Sequence, residues 1–162
     1  MNSAVIVAGG AGFRFGGDIP KQFIKINGQE ILSFSVNTFL EHPQIDEVII
    51  VYHPDWKEHV ITNYPNCIVV EGDQRRQDSS MKGISVVSVE SEHVLIHDAV
   101  RPFVSKKIIS DCLSALENSD GSAPIMNVSN SLIQLGKEKA TYVDRSKIRE
   151  VQTPQCFRKE LI

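Results

Sequence analysis

Ser3–Ala8 reads SAVIVA, a short run with a single hydroxyl, and it breaks at once into Gly9 and Gly10. A run that short and that apolar suits a strand buried on both faces, the kind found inside parallel sheets. Covering both faces of a sheet takes helices, and the rest of the chain supplies candidates for them. Further apolar runs follow at Glu47–Tyr52 (EVIIVY), Cys67–Val70 (CIVV), Val94–Ile96 (VLI) and Ala123–Met126. Between them lie stretches with helical patterning: Glu30–Leu40 after Asn27–Gly28, about Trp56 to Asn63 after His53-Pro54-Asp55, Gln77–Val87, and Lys106–Asn118. In the last of these, Ile108, Ile109, Cys112, Leu113 and Leu116 fall at i, i+3, i+4 spacing. The order is βαβαβαβαβ. It predicts a three-layer α/β/α fold of Rossmann-like type, a mostly parallel sheet with helices on both faces.

After Met126 the pattern changes. Asn127–Tyr142 is polar and irregular apart from an alternating apolar patch at Leu132, Ile133 and Leu135. Residues 127–150 hold too few core positions for another βα unit and read as an extended hairpin or arm, which needs a partner to bury its apolar side. The 162 residues are expected to form one domain, and the absence of a closing element before Ile162 suggests a piece of a longer protein.

Composition removes several classes of function. Seventeen Lys and Arg against 20 Asp and Glu leave a formal net charge of −3, whereas a nucleic-acid groove requires a surplus of cations. An anion site here must be local, made from a few placed cations and backbone N–H groups. No apolar run reaches the roughly 20 residues of a membrane span, and the start lacks the basic segment of a signal peptide. Cys67, Cys112 and Cys156 are odd in number and far apart. They read as buried or half-buried thiols in a reducing cytoplasm, since they match neither a disulfide framework nor a metal knuckle.

Four constellations carry the chemistry. Directly after the first strand comes Ala8-Gly9-Gly10-Ala11-Gly12-Phe13-Arg14. Its glycines let the backbone approach a ligand and turn successive N–H groups toward an anion. It is no Walker A loop, and Phe15 stands where a dinucleotide fingerprint requires its third glycine. Arg14 and Lys21 instead place two cations on the loop, a combination suited to a triphosphate; the plainer reading is a strand–helix turn with solvated cations. Asp98, followed by Ala99, ends the fourth strand and faces the same cleft, where one carboxylate can begin a Mg²⁺ site completed by phosphates. The alternative is a turn aspartate paired with Arg101. Gly72-Asp73-Gln74 and Ser79 can read a base edge and ribose, or form a polar loop with a serine cap. Arg145, on the arm, is either a phosphate clamp or a surface arginine.

In order along the chain, AGGAGFRFGGDIPKQF, GDQRRQDSSMKGI, IHDAVRPF and VDRSKIREVQTPQCF resemble the 2-C-methyl-D-erythritol 4-phosphate cytidylyltransferases. The ribitol-5-phosphate cytidylyltransferases share nearly the same pattern. The resemblance implies a cytoplasmic, Mg²⁺-dependent enzyme that transfers CMP from CTP to a polyol phosphate and releases pyrophosphate. By that analogy Ala8, Gly9, Gly10, Ala11, Gly12 and Arg14 cradle the triphosphate and base edge, and Lys21 grips the α-phosphate. Gly72, Asp73, Gln74 and Ser79 read cytosine and ribose, while Asp98 and Ala99 hold ribose, with Asp98 also on the metal. The family's arm enters a neighbouring subunit, which implies a homodimer through residues 127–150 and places Arg145 and Ser131 on the polyol phosphate. Where the family carries Asp-Thr this chain has Asn130-Ser131, and the family continues past this point to a late lysine and a second metal-binding aspartate. Three readings are therefore carried forward: methylerythritol phosphate as acceptor, ribitol phosphate as acceptor, or an inactive nucleotide-binding or dimer-forming remnant.

Overall fold

Ser3–Ala8 lies in a strand buried on both faces, and the sheet is built outward from it. The computed structural model describes residues 1–10, 19–137 and 139–162. Along the chain, β1 (Asn2–Ala8) is followed by β2 (Lys25–Ile26) and β3 (Gln29–Glu30), then α1 (Ile31–Leu40) and β4 (Glu47–Tyr52). Next come α2 (Lys57–Asn63), β5 (Ile68–Glu71), α3 (Arg76–Ser85), β6 (His93–Asp98) and α4 (Lys106–Ala115). The remaining strands are β7 (Gly121–Ser122), β8 (Ile125–Asn127), β9 (Leu132–Leu135), β10 (Ala140–Val143), β11 (Arg149–Val151) and β12 (Gln155–Arg158).

The main sheet has the order β5-β4-β1-β6-β12-β7. Its first four strands are mutually parallel, with Val5 level with Ile49 on one side and Ile96 on the other. Alternate residues of β1 feed separate cores. Ala4, Ile6 and Ala8 pack with Leu32, Val36 and Phe39 of α1, Val60 of α2 and Ile109 and Leu113 of α4. Val5 faces the other way, with Ile49, Val51, Val94, Ile96 and, from α3, Ile84. Helices thus cover both faces, as the apolar runs require. Helix α3 comes unusually close: a Cβ on Gly83 would stand 2.3 Å from Val5 Cγ1 and 2.8 Å from Val51 Cγ2.

Several boundaries differ from the sequence reading. Gln77–Val87 begins one residue earlier and ends two earlier as α3. Lys106–Asn118 ends at Ala115, where Arg158 Nη2 donates to the Leu116 carbonyl at 3.0 Å, satisfying a free carbonyl at the helix end. Of Ala123–Met126, expected as a fifth strand, only Ile125 and Met126 are strand, in β8, while Ala123 and Pro124 fill the gap after β7. Proline has no N–H to give a ladder, although its carbonyl accepts from Gln152 N at 2.8 Å. The sheet's next member beyond β6 is instead β12, which runs antiparallel to it and places Cys156 opposite Leu95.

The alternating patch at Leu132–Leu135 forms a hairpin with Ala140–Val143, and β8 pairs with β11 beneath it. Residues 127–150, read from the sequence as an arm, thus hold the β9–β10 hairpin and parts of β8 and β11. Cys112 and Cys156 are buried and Cys67 half-buried, all as free thiols. Among the described residues no helix is long and apolar enough to cross a membrane.

Candidate active site

The chain proceeds from β1 to β4 and β5 on one side, then returns to place β6 on the other side of β1. Such a reversal opens a crevice at the carboxyl ends of the two strands, where open α/β sheets bind ligands. Here the crevice is a cleft of about 320 Å³ lined by Ala8, Gly9, Gly10, Asp73, Gln74, Ser79, Asp98 and Ala99, with Gln22 and Arg76. An adjoining hollow shares Gly9, Gly10, Asp73 and Gln74 and adds Gly72 and Lys82. Three segments that the sequence singles out separately therefore meet in one place.

Their positions are fixed by hydrogen bonds within the chain. Buried Gln22 donates through Nε2 to the carbonyls of Ala8, at 2.7 Å, and Gly10, at 2.8 Å. With those carbonyls held from behind, the start of the glycine bend is tied to the short 3₁₀ turn Lys21–Phe23. The Asp73 loop is closed by Ser79, whose Oγ accepts from Asp73 N at 2.8 Å and donates to Asp73 O at 3.0 Å. Gly72 admits this closure, since a Cβ there would lie 3.0 Å from both Ser79 Oγ and the Tyr52 carbonyl. Asp73 carries its own counter-ion, Lys82, at 3.1 Å. The Gln74 N–H, followed by Lys82, holds its carboxyl below the usual range.

Asp98 lies at the end of β6 with both oxygens engaged. Oδ1 accepts from Arg76 Nε at 2.8 Å and Oδ2 from Arg101 Nε at 3.0 Å. The pairing with Arg101 foreseen as an alternative is thus present, and Arg76 adds a second. One residue earlier, fully buried His97 packs against Phe39 and has its pKa pushed down to about 4, chiefly by burial. A neutral ring whose Nε2 meets the Arg101 carbonyl at 3.1 Å must donate there. Its Nδ1 then accepts from Thr153 Oγ1 at 2.9 Å, and the same Oγ1 accepts from Asp98 N at 3.4 Å. This relay joins β6, the Asp98–Arg101 turn and the segment entering β12.

Other expected residues fall elsewhere. Ala11, Gly12 and Arg14 lie outside the described residues. Lys21 heads the turn whose next residue, Gln22, lines the cleft, but it is not itself among the lining residues. Ser131 is exposed on the arm, and Arg145 donates through Nη1 to Ser129 O at 2.6 Å within that arm. Sequence reasoning missed Gln22, Arg76 and the His97–Thr153 pair as site residues. Of these, only Arg76 carried a signal: it opens a helix, where a cation opposes the helix dipole and needs another reason to be present.

A glycine turn and a carboxylate, gathered at the switch point of a mostly parallel sheet, are the arrangement with which α/β proteins bind nucleotides. Residues 2–162 match the family described as IspD: 2-C-methyl-D-erythritol 4-phosphate cytidylyltransferase, and the chain belongs to that family. It is similar to the enzyme so named from Thermotoga neapolitana, at 32% identity over all of this chain and 75% of the relative. A Clostridium botulinum enzyme of the same name is 38% identical over 99% of this chain and 74% of its own. The crystal structure of 4-diphosphocytidyl-2C-methyl-D-erythritol synthase from Anaerococcus prevotii superposes with a TM-score of 0.85 at 27% identity, covering 99% of this chain and 70% of that one.

Proposed function

We propose that this chain transfers CMP from CTP to 2-C-methyl-D-erythritol 4-phosphate, giving CDP-methylerythritol and pyrophosphate. The observation that carries the reading is the single cleft formed by Gly9–Gly10, Asp73–Gln74 and Asp98–Ala99 at the β1/β6 reversal. Both curated relatives described above bear the methylerythritol name, which favours that acceptor over ribitol phosphate.

An oxygen of the acceptor's phosphate attacks the α-phosphorus of CTP, forming a new P–O bond as the bond to the β-phosphate oxygen breaks and pyrophosphate leaves. A phosphate-monoester oxygen is already anionic at neutral pH, so the step needs positioning and charge stabilisation rather than a general base. The N–H groups of Gly9 and Gly10 offer hydrogen bonds to the triphosphate, with Ala11, Gly12 and Arg14 completing the cradle. Lys21 neutralises the charge growing on the α-phosphoryl oxygens. Gly72, Asp73 and Gln74 read the cytosine, with Ser79 setting their loop, and Ala99 lies against the ribose.

The donor set also fits Mg²⁺. Among the described residues no cluster of three or more His, Cys, Asp and Glu could hold a metal, while one carboxylate plus substrate phosphates is a usual magnesium environment. Asp98 would hold the ion, which when bound supplies phosphate neutralisation and electrophilic activation. Residues 127–150 would dimerise the chain and carry Arg145 and Ser131 to the acceptor phosphate in a partner's cleft.

The test is pyrophosphate release from CTP with methylerythritol phosphate and ribitol phosphate offered separately. Release with the first and little with the second supports the reading. The reverse preference would reassign the acceptor, and CTP binding without turnover on either would mark a remnant.

A further inference from the structure

Arg76 is poorly explained by the stability of its own helix. It is the first residue of α3, preceded by Arg75, and two cations at a helix N-terminus oppose the dipole. Arg75 is balanced locally by Asp78, through contacts of 2.6 and 2.8 Å. Arg76 instead spans to another strand and binds Asp98, the residue placed on the metal. Asp98 already has a second cation in Arg101, which comes from the same turn and is further fixed by the Gln152 side chain. A divalent ion on this carboxylate needs an oxygen, and adding two positive charges beside two guanidinium groups is strongly repulsive at contact distance. One arginine must yield. Among the described residues Arg76 is held at a single point, and its side chain is about half exposed and lines the cleft shared with Gly9 and Gly10.

We propose that Arg76 is an exchangeable counter-ion: it neutralises Asp98 when no divalent ion is bound, and transfers to a nucleotide phosphate when a cation takes the carboxylate. The inference rests on the proposed function and deepens it. The empty carboxylate is masked, so metal alone binds poorly, while metal and nucleotide together bind well because each relieves the charge the other exposes. Arg76 thereby acts as a linkage device between the two ligands and as an additional phosphate contact.

The test uses the whole chain and the variants Arg76→Gln and Arg76→Lys, with free Mn²⁺ followed by electron paramagnetic resonance and CTP binding by calorimetry. Arg76→Gln should bind Mn²⁺ alone about fivefold more tightly, the size of one surface ion pair. It should bind CTP with metal more weakly, so the cooperativity between the two ligands shrinks. Arg76→Lys should lie between the variant and the parent. Circular dichroism should show both variants folded, since the change removes no helix capping group. Unchanged or weaker Mn²⁺ binding to Arg76→Gln, or undiminished cooperativity, would overturn the exchange. If the parent chain binds Mn²⁺ and CTP with no mutual enhancement, the exchange also fails; if it binds no CTP at all, the proposed function fails with it.

Discussion

The cleft and the arm are built on opposite principles. Around the cleft, Ala4, Val5 and Ile6 of β1 and Val94 and Leu95 of β6 are wholly buried, and neighbouring side chains close hydrogen bonds onto the site's own backbone. In the arm every residue of β8 and β11 is exposed, as are Ile133, Leu135 and Tyr142 on the hairpin. Hydrogen bonds from Gln22, Ser79 and Thr153 hold the first region to a geometry the chain determines by itself. The second forms its strand ladders but leaves apolar side chains uncovered, the kind of exposed patch that marks an interaction surface. Positional precision in this molecule follows burial.

Five changes break or sharpen that contrast, in falling order of effect. Lys21→Ala should reduce kcat by about 10²–10³-fold, as loss of a transition-state cation does, while CTP affinity measured by calorimetry falls much less. Equal losses in both would make Lys21 a binding residue only. The next effect belongs to the buried residue just before Asp98. His97 is held neutral with a pKa near 4 against an ordinary 6.5, so between those values the unfolded chain binds more protons. Stability is therefore complete above pH 6.5 and declines as pH falls toward 4, by up to about 3 kcal/mol from this residue. His97→Asn should flatten that part of the stability–pH curve in urea titrations; a curve parallel to the parent's would mean the ring is not held neutral.

Gly83→Ala should cost about 1–3 kcal/mol through overpacking against Val5 and Val51, read as a lower Tm. No change would show that α3 rides on the sheet more loosely than the distances imply. Arg145→Ala belongs to the arm and should raise KM for the polyol phosphate about tenfold, the loss of one charged contact, with KM for CTP unaltered. The opposite pattern would place the arm against the nucleotide. Smallest in stability is Leu135→Asp, which should shift the fold by less than about 0.5 kcal/mol yet lower dimer affinity in sedimentation experiments. A large loss of monomer stability would mean the hairpin is part of the core after all.

The sheet was legible because its strands announce themselves locally. EVIIVY spans Glu47–Tyr52 in both sequence and structure, and glycines after β1 and before Asp73 mark where backbone must pass closely. Asp98 was legible as a carboxylate ending an apolar strand. What escaped the sequence depends on partners far along the chain. Arg76 meets Asp98 across 22 positions and Thr153 meets His97 across 56, separations for which no local pattern exists. Strand β12 escaped for a related reason: Cys156 is its only fully buried residue, so it has no apolar run, and its place beside β6 is decided by the open edge it covers. Asn27–Gly28 did carry a signal, since this pair favours a two-residue hairpin turn, and its φ values of 51° and 82° connect β2 to β3.

Gly83 lines no part of the cleft, yet it sets how closely α3 lies on β1 and β4. Because hydrogen stands where other residues carry carbon, α3 settles directly on the strands below it, bringing Arg76 level with the rim of β6. A thicker residue there would act as a shim, raising the helix and drawing the guanidinium away from Asp98 while every reactive group stayed chemically intact. A defect there would look like lost chemistry while its origin was a change in spacing.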